Sequence, residues 1–420
     1  SNIALVQSST NIMKGAFAGN TSVDTLVLMP WFDDKVTLED GSLAGGSVRT
    51  IVCATDKQVA YVEQHKAAAG APDAHVIRAS LSRDGYLYYV NAGKTILLSA
   101  AGDENGNLLK TFDGTLLTDG GKQLEVDSIA PYAFSGDTEL MFVNLGERTS
   151  QIGRNAFENC RNLQGVFIGT PDSIEVGADA FKGCTGLSFV ASRAKKGDFV
   201  TAENPNPAGC TWYAPDGELQ GYDSRFVAID GIYDFDCHAP GDDTVLLYGY
   251  YDGDEEGKPS ILLGAPSVLN GTIDLLPSTI EIFGGYSSSS AKDLPGAFEG
   301  TGGVWDIDWS SAPKLAYIDR YAFRNSGIAG DLNIDLPEND ICVGMSAFDS
   351  CTNLASVSLH AATLEIDDQA FTNCPRLASA SFVADTKGDY DASTGRGSRN
   401  YLASSVFGND ASFTSLTLGL

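Results

Sequence analysis

The chain has 420 residues, long for one compact domain, with 27 Lys and Arg against 55 Asp and Glu and a formal net charge of −28. A hydrophobic content of 43% excludes wholesale disorder, and acidity spread along the chain excludes electrostatic docking on nucleic acid or an anionic membrane. No apolar run approaches the roughly 20 residues of a membrane-spanning helix, and eight Cys without a Cys-x-x-Cys exclude a disulfide scaffold or a zinc finger.

In chain order, the first legible element is an Ala-Phe pair, Ala16-Phe17, which returns at Phe134, Phe157, Phe181, Phe298, Phe323, Phe348 and Phe371, with Val406-Phe407 as a weaker ninth copy. Adjacent clear copies stand 23 to 25 residues apart. Nine positions after each Phe an apolar residue recurs, and eleven after it only Ser192 is polar. Five before it stand Ile12, Ile129, Ile152, Val176, Ile318, Val343, Ile366 and Leu402, broken by Asp293, and six after it the residue is apolar in every copy. Two apolar columns two residues apart put both side chains on one face of a strand. A single coil of this length cannot bury its apolar side, so the period specifies stacked coils with Phe on Phe and a parallel sheet.

Between the matched blocks the pattern lapses. The spacing of Val59, Val62 and Lys66 predicts a short helix. The Ser287–Ser290 run reads as a surface loop inserted before Phe298. Phe189-Val-Ala and Phe382-Val-Ala, each after a block of clear repeats, suggest a longer duplication.

The segments Ile152-Gly-Arg-Asn-Ala-Phe-Glu-Asn-Cys-Arg-Asn-Leu163 and Val343-Gly-Met-Ser-Ala-Phe-Asp-Ser-Cys-Thr-Asn-Leu354 resemble the BspA-like leucine-rich repeats of bacterial cell-surface proteins. The expected fold is therefore a repeat solenoid of that type: short parallel β-strands with turns and short helical segments, mainly β or irregular. One array is expected over 1–420, with clear repeats at 10–29, 126–193, 273–383 and 402–420 and degenerate or inserted segments at 30–125 and 194–272. The resemblance implies a secreted or cell-surface bacterial protein engaged in adhesion or host interaction, although no signal segment opens the chain.

The chemistry-bearing residues point away from catalysis. Four His show no ligand spacing, so no metal is expected, and no nucleophile motif, phosphate-binding glycine loop or cofactor motif appears. Asp252-Gly-Asp-Glu-Glu-Gly257 begins like an EF-hand loop, yet its twelfth position is Leu263, leaving a solvated turn or at most weak, irregular calcium binding. Cys160, Cys184, Cys351 and Cys374 share one position three after Phe, where other copies carry Asn, Asp, Ser or Thr, and parallel side chains in a ladder favour free thiols over disulfides. The aromatic groups Tyr86, Tyr88 and Tyr89, Trp212 and Tyr213, and Tyr248, Tyr250 and Tyr251 fill half-buried strands or form recognition surfaces. Trp212, Tyr213, Tyr248, Tyr250 and Tyr251 beside Asp252 and Asp254 are the expected binding residues. The expected function is non-catalytic binding of a protein, such as a host matrix or surface protein, without nucleic acid or a membrane span. Glycan capture for a surface nutrient system, or a spacer role for another domain, is the alternative.

Overall fold

A computed structural model describes residues 2–5, 10–28, 36–100, 108–118, 120–170, 172–194, 210–214, 226–228, 232–241, 244–251, 260–284, 295–388 and 399–419. They fall into two compact units, one of residues 1–163, 168–185 and 194–208, the other of 164–167, 186–193 and 209–420. No helix among the described residues is long and apolar enough to cross a membrane.

The coils close through a backbone turn that the apolar columns do not reveal. Two residues before and two after the ladder Phe the backbone is left-handed: Asn155 and Asn159 flank Phe157, and Ser346 and Ser350 flank Phe348, at φ between 55° and 64°. Asn and Gly tolerate this conformation best, which explains Asn325, Asn373 and Asn409, and Gly136, Gly183 and Gly300, at the second of the two positions. The two left-handed residues and the Phe between them turn their N–H groups toward the next coil. In the first unit Asn155, Phe157 and Asn159 donate to the carbonyls of Ala178, Ala180 and Lys182 at 3.0, 2.9 and 2.7 Å. In the second, Ser346, Phe348 and Ser350 donate to Asp368, Ala370 and Thr372 at 3.0, 2.8 and 2.9 Å. Successive coils are thereby fixed in register on the turn side as well as at the strands.

The rings stack as the period requires. Phe134, Phe157 and Phe181 lie 5.1 and 5.3 Å apart with interplanar angles of 11° and 2°. Phe298, Phe323, Phe348 and Phe371 follow at 4.9, 4.7 and 5.1 Å, and Phe407 lies 6.1 Å beyond. Phe17 is also buried, whereas Phe407 is half-buried. In the second unit, strands Ala329–Val343, Asn353–Ile366, Ser379–Ala384 and Ser415–Gly419 run parallel. Their register sets Leu332, Val357, Ala380 and Leu416 in one row and Ile334, Leu359, Phe382 and Leu418 in another.

Two readings need correction. Val304, in the sixth position after Phe298, is 62% exposed; Trp305 takes the buried place and packs on Phe298 and Phe323. The Phe189-Val-Ala and Phe382-Val-Ala stretches are not equivalent in the coil. Phe382 faces inward beside Phe371, but Phe189 stands three positions earlier in its coil and pairs with Thr211. The break at Asp293 is resolved by the register: Ile282 pairs with Ile318 and so fills the column, and the insertion falls between Ile282 and Phe298.

The two units do share one strand order. In the first unit three antiparallel strands, Ser80–Leu81, Tyr86–Asn91 and Lys94–Ala100, lead into the parallel short strands Ser128–Ile129, Gln151–Ile152 and Glu175–Val176. In the second, Ile232–Gly241, Thr244–Tyr251 and Ser260–Gly264 lead likewise into Thr279–Ile282 and Tyr317–Ile318. The helix is Asp56–His65, started by Thr55, whose hydroxyl accepts the Gln58 N–H while the Gln58 side chain returns to the Thr55 N–H; Val62 is its apolar anchor.

Candidate functional site

Stacking pairs the strand edges of a coil with its neighbours, so what a coil can present to solvent is the outward face of its strands and its turn, and the search for a site reduces to finding which strand face is uncovered. In the first unit the outward residues Val27 and Val52 of strands Thr25–Leu28 and Thr50–Cys53 are buried, packed against Leu87, Tyr89, Ile96 and Leu98 of the antiparallel strands. That face is closed. In the second unit strand Phe189–Ser192 is buried on both sides.

The open face lies further along the second unit, on the strands Val268–Asp274, Gly302–Asp308, Ala329–Val343, Asn353–Ile366, Ser379–Ala384 and Ser415–Gly419. Strand alternation sends their outward side chains to solvent in rows set by register. Thr272 stands beside Asp306 and Asp274 beside Asp308. Asp331, Ser356, Ser379 and Ser415 form one row, and Asn333, Ser358, Ser381 and Thr417 the next. A third row holds Asp335, His360 and Val383. The face is acidic toward Val268–Asp274 and hydroxyl-rich toward Ser415–Gly419. Partial burial, then the neighbouring charges of Asp331 and Asp308, raise the Asp306 pKa above the usual carboxylate value. The Ser356 hydroxyl donates to Asp331 at 2.5 Å, and His360 lies between Asp335 and Asp385.

The binding residues expected from the sequence fall elsewhere. Trp212 and Tyr213 are each 2% exposed and Tyr248 is fully buried, so they serve as core and cannot form the expected recognition surface. Their polar ends are satisfied inward: the Tyr213 hydroxyl donates to the Leu263 carbonyl at 3.1 Å, and the Tyr248 hydroxyl accepts the Leu276 N–H at 3.2 Å. Tyr86, Tyr88 and Tyr89 are buried as well. Tyr250 is half-buried; the Tyr251 side chain, Asp252 and Asp254 lie outside the described residues. The nine ladder Phe line the stack and present no site.

Among the described residues no group of His, Cys, Asp and Glu has the arrangement of a metal site. The Cys column has a structural use. Cys160, Cys184, Cys351 and Cys374 point their thiols at the carbonyls of Phe134, Phe157, Phe323 and Phe348 in the preceding coils, with Sγ to O distances of 3.0, 2.9, 3.1 and 3.2 Å. Asp137, at the same position, accepts the N–H groups of Glu139 and Leu140, and Asn20 those of Ser22 and Val23, so Cys, Asp and Asn in this column all satisfy backbone groups. The described cysteines form no disulfides, and burial pushes the thiol pKa values of Cys53, Cys342 and Cys351 up to about 12. Thiolate at pH 8 is then roughly a thousandfold scarcer than for an unperturbed thiol. Brief alkylation followed by peptide mapping should leave Cys160, Cys184, Cys351 and Cys374 unlabelled in the native protein and fully labelled in denaturant; prompt native labelling would contradict this packing.

His360 could have been found from the sequence by the period itself. Asp335 and His360 stand 25 residues apart, the step from Phe323 to Phe348, so stacking must bring them side by side; the next step is 23, which sets Val383 beside His360 and leaves Asp385 two residues beyond the row.

The family-model match falls on two of the blocks where the repeat is clear. The model for the BspA-type leucine-rich repeat region matches six copies, at residues 110–195 and 295–388. Among solved structures, a leucine-rich cell surface protein from Faecalibacterium prausnitzii A2-165 is 15% identical, over 81% of this chain and 94% of that chain, with a TM-score of 0.28. A leucine-rich-repeat protein from Bacteroides ovatus ATCC 8483 is 15% identical over 80% of this chain and 77% of its own, at a TM-score of 0.24. The pneumococcal vaccine antigen PcpA is 12% identical over 72% and 86%, at 0.21. No curated protein is significantly similar to the chain.

Proposed function

We propose, from the premise that this chain carries BspA-type leucine-rich repeats, that it is a non-catalytic binding protein of the bacterial surface or its surroundings, and that it engages a protein partner through the open sheet face of the second unit. The observation that carries this reading is the contrast between faces: the outward strand residues Val27 and Val52 are buried under the chain's own strands, while Asp331, Asn333 and Asp335 are exposed and their row neighbours Ser356, Ser358 and His360 are only half-buried. A flat, regular, polar face of several strands suits an extended contact with a macromolecule. Adhesion to a host matrix or surface protein is the finer reading. Burial of Trp212, Tyr213 and Tyr248 takes away the stacking platforms on which glycan capture would rest.

The test is a pull-down from epithelial and matrix extracts with the full chain, compared with Ser358→Arg in the middle of the open face and Asp56→Arg on the exposed helix start of the first unit. Ser358→Arg should weaken capture at least tenfold, about 1.4 kcal/mol, while Asp56→Arg leaves it unchanged. Equal capture by both variants would remove the open face as the binding surface.

A further inference from the structure

We propose that Asp335, His360 and Asp385 form a pH-sensitive clamp across three successive coils of the open face, closed on both sides while the imidazole carries two protons and open on one side once it carries a single proton. Asp335 reaches His360 from the strand Ala329–Val343, with its Oδ1 2.7 Å from Nδ1. Asp385 reaches it from the segment after strand Ser379–Ala384, with its Oδ1 3.2 Å from Nε2. Val383 is the register neighbour of His360 on that strand, so the charged groups facing the ring are these two carboxylates.

Ionised carboxylates only accept hydrogen bonds. Both contacts can be made at once only if both ring nitrogens carry hydrogen, which is the imidazolium form. Deprotonation releases one proton to water and leaves one N–H, so one carboxylate must then face a lone pair. The shorter contact, to Asp335 within a paired strand, is the one retained; Asp385 is released. The Asp385 backbone stays attached, its N–H donating to the Ala361 carbonyl at 3.0 Å, so the change is one of side-chain position and surface charge.

Hydrogen bonding to Asp385 and then Asp335 raises the His360 pKa above its ordinary value. A raised folded-state value means that the clamp's contribution to stability is fully present below the unfolded value of about 6.5 and is lost as pH rises through the folded value. Over the same range the open face gains one unit of negative charge and an unpaired carboxylate. This holds whatever the face binds.

The experiment is an NMR titration of the imidazole signals of the full chain, with His360 assigned by its disappearance in His360→Gln. The His360 midpoint should lie above about 6.5, and Asp385→Asn and Asp335→Asn should each lower it. A midpoint at or below that value, or one that neither substitution moves, would overturn the clamp. Urea midpoints measured from pH 5 to pH 9 give a second readout. The wild type should lose stability relative to His360→Gln as pH rises through the titration, and parallel profiles would equally reject the proposal.

Discussion

Phe348→Ala should lower the unfolding free energy by roughly 3–5 kcal/mol, the range for deleting a fully buried aromatic side chain. Phe348 is wholly buried, with its ring 4.7 Å from Phe323 at 9° and 5.1 Å from Phe371 at 11°. Removing it takes away one full ring of apolar burial and leaves two neighbours each bare on one face. The hydrogen bonds of Phe348 do not soften the loss, because they belong to the backbone: its N–H donates to Ala370 and its carbonyl accepts the Cys374 thiol. The coil is held open around the cavity by its neighbours, so collapse recovers little. Phe407→Ala is the internal comparison. That ring is half-buried and 6.1 Å from Phe371, so its loss should cost clearly less. Urea unfolding of the three proteins decides the matter: a Phe348→Ala midpoint equal to the wild type, or a larger effect from Phe407→Ala, would contradict the ladder as the source of stability.

The ladder was legible because it depends on one strongly marked residue type at a fixed period, and Phe on Phe is what stacking coils require. Coils without that marker were not legible. Leu43 takes the place of Phe in a coil that accepts the Phe17 N–H through Ser42, and Ile51 and Val76 continue the row of Leu26 at the same 25-residue step. A smaller aliphatic side chain fills the same space, so nothing in the local sequence distinguishes it from any other Leu. The aromatic groups failed for the opposite reason. Tyr and Trp suit a surface and a core equally well by composition, and only the packing of the antiparallel strands settles that Tyr89 lies against Val52, inside. The open face was harder still, because what makes it a candidate is the absence, among the described residues, of a covering strand, and covering is a long-range property. Once the coils are stacked, the rows of that face follow from arithmetic, as Asp335, His360 and Val383 show at steps of 25 and 23; Asp385 lies two residues past its row and only the structure brings it to His360.

A second large effect is expected where two strands of the open face approach most closely. Gly303 has φ of 88°, and a Cβ placed on it would stand 1.8 Å from the Leu269 carbonyl oxygen, a backbone atom that no rotamer change can move aside. Gly303→Ala therefore combines two costs: a left-handed conformation that disfavours any Cβ by about 1–2 kcal/mol, and a backbone collision that must separate Gly302–Asp308 from Val268–Asp274. Overpacking of that kind costs about 1–3 kcal/mol more, for a total of about 3 kcal/mol. Gly271 supplies the control. Its φ is 80°, in the same strand pair, and a Cβ there would meet nothing within 4 Å, so Gly271→Ala isolates the conformational cost and should lose only about 1–2 kcal/mol. Because Asp306 and Asp308 owe their places beside Thr272 and Asp274 to this pairing, Gly303→Ala should also weaken amide protection along Gly302–Asp308 while the strands around Phe348 keep theirs. Equal destabilisation by the two alanine substitutions would show that the strands have room to spare at Gly303, and the close approach that sets the acidic edge of the open face would have to be abandoned.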